Sequence, residues 1–545
     1  MKIQNTPIKL NNQNNQPQEN LKGKSPSFKG MEAMDVFLRF LDTNQAWGAT
    51  AVDAGCMVTP RTAVDFTRGP EAGFETLRRE ATSTVNDAII GWYGFAAALL
   101  LAQGLNKEYG IKAHKLFISD EMLDISGDIY NKNAKSNNKI NALFTEAFDG
   151  MRGYNPNHAN ADDFGYVALD KETKKEIIDK AVQEFGENGA QGSKESKKFI
   201  EAKIAESCGS RNRIKLERTI EGKKVKAVSS AEAMVENLFT AAKTFTTDSV
   251  SKTFDGKNLY DNKFINSLKK LNSKTSILGL TAVLAVAMSV QPINMYLTKK
   301  KTGKEGFVGG GEVDKTNGFK LRKLLVGGLA AVGTLASIAP ITKPKQVLKE
   351  IRFKSLAPTI PQFKLIYGLT IMSRLFSARN NNELRESSIK DSLGFANWLI
   401  LGGFVSKLTA GAYDKYSKFA QKGAESFVRY NEKENGKSFF SWLTKSDIVT
   451  RDEVLTNALT KAGIDVTKGG KKGAMTFKEM LIKAKEVAPV AAKQVKALNK
   501  IQLAGYLWSG LVLGVGVPKL NIAITKAAEK KKQAQLKKTE SQVQR

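Results

Sequence analysis

The chain has 545 residues, of which 41% are hydrophobic and 25% charged; this excludes wholesale disorder and suits three to four structural units at roughly 150 residues each. Cys56 and Cys208 lie far apart and match no CxxC pattern, and neither His114 nor His158 has a second His or a Cys at ligand spacing, so a disulfide scaffold and a cysteine-based zinc site are excluded. The formal net charge is +30 and unevenly spread: residues 1–250 carry 33 basic and 33 acidic side chains, whereas 251–545 carry 51 against 21.

Residues 1–30 are rich in Asn and Gln and too polar to pack a core, so they read as a disordered polar leader. They lack the apolar stretch of a signal peptide. The phrase Pro26-Ser27-Phe28-Lys29-Gly30 after this Asn-rich stretch resembles the start of uncharacterised proteins from gut-dwelling, non-photosynthetic relatives of cyanobacteria. The resemblance implies a bacterial lineage and carries no fold, activity or site residue.

Residues 31–105 predict a helical region ending in an apolar helix. Met34, Phe37, Leu38 and Leu41 fall at helical spacing, Thr59-Pro60-Arg61 and Arg68-Gly69-Pro70 punctuate, and Glu71 to Asn86 leads into the run Ala88 to Leu105, about 27 Å as a helix. Residues 106–271 form a polar extramembrane region. Within it, Arg213 to Ile220 and Lys223 to Val228 alternate apolar and polar residues around Glu221-Gly222; a small β-hairpin is expected, although an irregular loop fits as well.

Residues 272–420 predict an apolar helix cluster with basic linkers. Ser276 to Leu297 holds no charge and would reach about 33 Å, enough for the roughly 30 Å hydrocarbon layer. Leu324 to Ile341 covers about 27 Å and Leu393 to Val405 about 20 Å. Leu365 to Ser373 is bracketed by Lys364 and Arg374 and reads as interfacial or re-entrant. Residues 421–500 form a polar helical region: Thr450 and Glu453 make a capping box, Gly463 a stop, Thr476 and Glu479 a second box, and Pro489 a break. Residues 501–526 predict a further apolar helix, whose run Ile501 to Val517 covers about 26 Å. Residues 527–545 form a basic tail holding Lys530-Lys531-Lys532 and Lys537-Lys538.

Lysines cluster at the edges of the apolar runs, as in Lys299-Lys300-Lys301 and Lys320 to Lys323. The expected fold is therefore mainly α, a multi-pass membrane protein with helical extramembrane regions and one small β-hairpin, in a bacterial inner membrane. The expected partner is a bilayer with anionic headgroups, with self-association through apolar helices; nucleic acid is not expected, since no soluble module interleaves basic and aromatic residues. The competing interpretation of every run is a buried helix in a soluble bundle. Orientation stays open, because Lys269, Lys270 and Lys274 on one side and Lys343 to Lys354 on the other make both ends of the hairpin around Thr298 to Lys323 basic.

Chemistry is sparse. Gly23-Lys24-Ser25 and Gly436-Lys437-Ser438 lack the first glycine of a phosphate loop, and Asn160 to Lys171 fails as a calcium loop at Phe164 and Lys171. No catalytic, cofactor or metal residue is assigned. The apolar runs hold no ionisable group for ion-coupled transport, only the amides Gln291 and Asn294 beside Pro292, and Asn397 beside Trp398. Their expected role is helix packing, with pore lining as the alternative; Gly510 and Gly514 form a small-xxx-small face. The expected function is a structural or scaffolding component of a bacterial envelope. The alternatives are a channel or transport component and a membrane-bound enzyme with its site in 106–271.

Overall fold

The computed structural model describes residues 34–41, 45–187, 192–303, 305, 312–340, 342–353, 359–397, 403–419, 423–470 and 473–543. The polar leader 1–30 lies outside them. The chain is mainly helical with a small antiparallel sheet.

Helix formation follows local signals closely. Thr450 and Thr476 each accept a bond from the third helical amide while Glu453 and Glu479 bond back, so both capping boxes form. The second of these helices ends at Val487, and Pro489 opens the next as its first residue. A third box, Thr359 with Gln362, starts the helix at Ile360. The hairpin is present as Ile214–Ile220 and Lys223–Ser229. Its two turn residues take positive φ, 46° at Glu221 and 73° at Gly222, which matches the twist of a two-residue β-turn.

The hairpin is half of a larger unit. Strands β1 (Met151–Tyr154), β2 (Tyr166–Ala168), β3 (Ile214–Ile220) and β4 (Lys223–Ser229) form one antiparallel sheet in the order β2-β1-β3-β4. Helices α1 (Asp120–Lys132), α2 (Lys139–Gly150), α3 (Lys171–Glu187), α4 (Lys194–Cys208) and α5 (Ala231–Phe245) cover it. Their shared core runs from Ala102 to Leu271 and includes Phe144, Phe148, Ile214 and Phe239. A second, smaller core spans Ala410 to Ile501. The two bodies pack on each other: Arg429 bonds Glu453 at 3.1 Å and donates to the Gly209 carbonyl at 2.9 Å, and the Arg211 amide donates to Glu453 at 2.9 Å.

The remaining chain is a helical bundle. Three helices are long and apolar enough to cross a membrane: α6 (Lys263–Thr302), α7 (Asn317–Ile338) and the run Pro489–Gln535. Pro70–Ala88 (α8) and Ile90–Leu101 (α9), bent by 51°, make a fourth if taken as one. In Pro489–Gln535, a π-helical segment Ser509–Gly516 joins two α-helices.

Several expectations are corrected here. The run Ala88 to Leu105 is not one helix, because it breaks at Ile89 and again at Ala102, which enters the core of the first body. Leu365 to Ser373 does not turn back within its length. It lies inside the continuous helix α10 (Ile360–Ser377), where Gly368 meets Thr334 and Phe376 covers Gly327 of α7. The apolar helix expected over 501–526 does not stop there, since the helix from Val517 continues through the described part of the basic tail to Val543. Part of Leu393 to Val405, residues 398–402, falls outside the described residues.

Both bodies sit at one end of the bundle, here called proximal. Helix α6 starts in the first body's core with Phe264, Ile265 and Leu268. The long C-terminal run starts in the second body's core with Ala491, Val495 and Leu498. Thr298, one turn from the far end of α6, accepts a bond from Arg78 at 3.0 Å, so α8 begins at the distal end. Proximal Lys349, Arg352 and Lys269 pair with Glu121, Asp120 and Asp124 of α1; at the distal end Lys299 pairs with Glu305, while among the described residues Lys300, Lys320, Lys526 and Lys530 make no salt bridge.

A buried ionic network in the bundle

Helix α8 is built inside out. Glu75, Thr76, Arg79, Glu80, Ser83, Thr84 and Asp87 are buried, whereas Phe74, Leu77 and Val85 are exposed, Val85 by 58%. Polar residues recurring every three or four positions share one helical face, and here that face points inward. The same inversion marks the long helices. Leu329 of α7 is 72% exposed and Ile277 of α6 65%. Only 11% of the apolar window of α7 is buried, which a core helix of a soluble bundle would not show.

Where the inward faces meet, charges from four helical segments converge. Arg374 of α10 donates to Asp391 at 2.8 Å and to Glu80 at 2.9 Å. Asp391 lies on α11 (Asn381–Phe395) together with Lys390, whose ammonium reaches Glu80 at 3.1 Å. Arg61, on Thr59–Phe66, approaches Glu80 at 3.7 Å and Asp391 at 3.9 Å. Arg374 is 5% exposed and Asp391 fully buried. Two flanking clusters extend the network. Arg379 bonds Glu75 at 2.6 Å and Glu383 at 3.0 Å, and Arg68 bonds Glu386 at 2.7 Å. On the other flank Thr84 donates to Asp53 at 2.6 Å.

The depth of this cluster is fixed by a neighbouring bond. Ser373, adjacent to Arg374, donates to the carbonyl of Met288 at 3.1 Å, and Met288 lies near the middle of the apolar stretch Ser276 to Leu297. Pairing is incomplete: Asp391 Oδ2, Asp87 Oδ1 and the Nε of Arg61, Arg79 and Arg374 have no hydrogen-bond partner among the described residues. A distal cavity lined by Arg61, Arg68, Arg79 and Lys390 opens onto the cluster.

The ionisable groups at this height do not belong to the apolar runs. The apolar runs themselves hold none; the charged groups come from the shorter helices between them. Their signal was present in Glu75, Arg79, Glu80 and Asp87 at helical spacing, backed by Phe74, Leu77 and Val85, and in Arg374 at the edge of an apolar run.

The amide residues lie nearby. Gln291 and Asn294 are buried on the α6 face that carries Thr298, and Gln291 Oε1 has no hydrogen-bond partner among the described residues. Helix α6 runs through Pro292, whose ring lies on the exposed side. Asn397 is buried and donates to Ser509 Oγ at 3.4 Å. Gly514 faces the Cys56 carbonyl so closely that a Cβ would lie 2.5 Å from it, and a Cβ on Gly510 would lie 3.9 Å from the same oxygen. These two glycines serve close helix contact.

The first body offers little chemistry. Among the described residues no group of three or more His, Cys, Asp or Glu is placed to hold a metal. Burial, aided by Glu232, pushes the Glu201 carboxyl up to about 7, yet Arg211 sits 3.6 Å away. Burial raises the Cys208 thiol to about 12, leaving it protonated and unreactive at neutral pH. No protein-family model, curated protein or solved structure matches the chain.

Proposed function

We propose that this chain is a multi-pass membrane protein acting as a transport component, with the buried ionic network as its working part. The observation that carries this reading is the cluster of Arg374, Glu80, Asp391, Lys390 and Arg61 at mid-height of an apolar stretch. Charges held at membrane depth are costly and, when retained, mark ion or proton pathways. The unpaired oxygens of Asp391 and Asp87 leave acceptors on which a proton or a water can sit. Exposed apolar side chains on α6 and α7 would face lipid, and the distal lysines would meet anionic headgroups. By the basic-inside rule the same lysines favour a cytoplasmic distal end, with both bodies on the opposite side.

One observation favours the scaffolding reading instead: Arg374 closes on two carboxylates at once, as a static clasp between helices would. Reconstituted vesicles holding a pH-sensitive dye separate the two. Under an imposed potential the full chain is expected to pass protons, and Asp391→Asn to abolish the flux while still inserting. Absence of flux from the unmodified protein would sink the transport reading and leave the clasp. Extraction with alkaline carbonate tests embedding independently, since a peripheral chain would be released.

A further inference from the structure

We propose that the distal cavity of the ionic network binds one small monovalent anion of about the size of chloride. The inference holds whether or not the chain moves ions, because it rests on charge and space alone. The cavity measures about 20 Å³, above the roughly 10–15 Å³ that one water-sized occupant requires.

Four cations line the cavity, Arg61, Arg68, Arg79 and Lys390, against two carboxylates, Asp65 and Glu386. Both carboxylates are already committed to Arg68, at 3.6 Å and 2.7 Å, and both also accept a threonine hydroxyl, from Thr76 and Thr525 respectively. The other three cations share Glu80, and Arg61 has only Asp391 besides, at 3.9 Å, a carboxylate that Arg374 holds at 2.8 Å. Glu80 lies 3.7 Å from Arg61, 3.4 Å from Arg79 and 3.1 Å from Lys390. That same carboxylate bonds Arg374 at 2.9 Å, so its capacity is divided among four partners.

The cavity wall thus carries more positive charge than the carboxylates bonded to it can cover. Arg61 and Arg79 are 1% and 5% exposed, and the Nε–H of each lacks an acceptor among the described residues. A buried cation whose counter-charge is divided among several partners is only partly compensated. One halide accepting from these donors would supply the missing negative charge in the space present, whereas a metal cation would be repelled.

The test uses the full chain in detergent, with its thermal unfolding midpoint followed against sodium chloride, bromide, gluconate and sulfate at constant ionic strength. Chloride and bromide are expected to raise the midpoint saturably, gluconate to leave it unchanged, and sulfate to raise it only in the unsaturated way of an excluded salt. In Arg79→Gln the half-saturating chloride concentration should rise at least tenfold, whereas Lys530→Gln, at the exposed tail, should respond as the unmodified chain does. Should Arg79→Gln fail to fold, Arg79→Lys and ³⁵Cl line broadening on the unmodified protein carry the test. An equal shift in gluconate, an Arg79→Gln response matching the unmodified chain, or no ³⁵Cl broadening would overturn the proposal.

Discussion

The first body and the bundle use the same residue types in opposite radial order. In the body, Leu123, Phe144 and Phe148 are fully buried, and charged residues such as Lys174 and Lys197 stay at the surface. In the bundle, Leu325 and Leu329 face outward, while Arg61, Glu80 and Asp391 are packed inside. The first order is what water imposes, because apolar area is driven out of contact with it. The second is what a hydrocarbon surrounding imposes, where polar groups must find each other. One chain carrying both orders, joined by helices that pass from one to the other, is what the membrane reading proposed above requires.

Substitutions that attack this division should differ in size by region. The largest effect is expected from Arg374→Leu, which strands Glu80 and Asp391 in the bundle interior; a loss of about 3–5 kcal/mol should appear in denaturant unfolding of the micelle-bound protein. Phe148→Ala should cost a similar ~3–5 kcal/mol, but confined to the first body, so proteolysis would nick residues near 148 while the bundle stays protected. Leu329→Lys distinguishes the two solvents directly. In lipid it should lower insertion efficiency by roughly 2–3 kcal/mol, measured by glycosylation mapping, whereas in water an exposed site would tolerate it within about 0.5 kcal/mol.

A smaller, pH-dependent effect is expected at Glu201. Its folded carboxyl titrates near 7 against an ordinary 4.5, so the folded state holds the proton more tightly than the unfolded state. Its contribution is greatest below pH 4.5, declines as pH rises to about 7, and is flat above that. Glu201→Gln should therefore stabilise the protein at pH 8 by on the order of 1–3 kcal/mol and have little effect at pH 4, as read from paired thermal melts. The smallest change is Thr450→Ala, which removes one capping bond and should cost about 1 kcal/mol.

What could be read from the sequence was local. Uninterrupted apolar length marked Ser276 to Leu297, and turn chemistry marked Glu221-Gly222 and the boxes at Thr450 and Thr476. Strands β1 and β2 escaped because four and three residues are too few to show alternation. The ionic network escaped for a different reason. A stripe such as Glu75, Arg79, Glu80 and Asp87 has the same spacing whether it faces water or a partner helix, and only the placement of α10 and α11 against it decides. The close approach of Gly514 to Cys56 was legible as a small-residue face, but its partner was not, since the two lie more than four hundred residues apart.

Helix α6 extends unbroken over 40 residues, about 60 Å. Its first turns are clamped in the core of one body, and its last lie beside the helix that supplies Glu80. A rod fixed at one end cannot absorb motion along its length, so tilting or sliding of that body, by a ligand outside the bilayer or by its neighbour at Arg429, would be delivered mechanically to the opposite mouth.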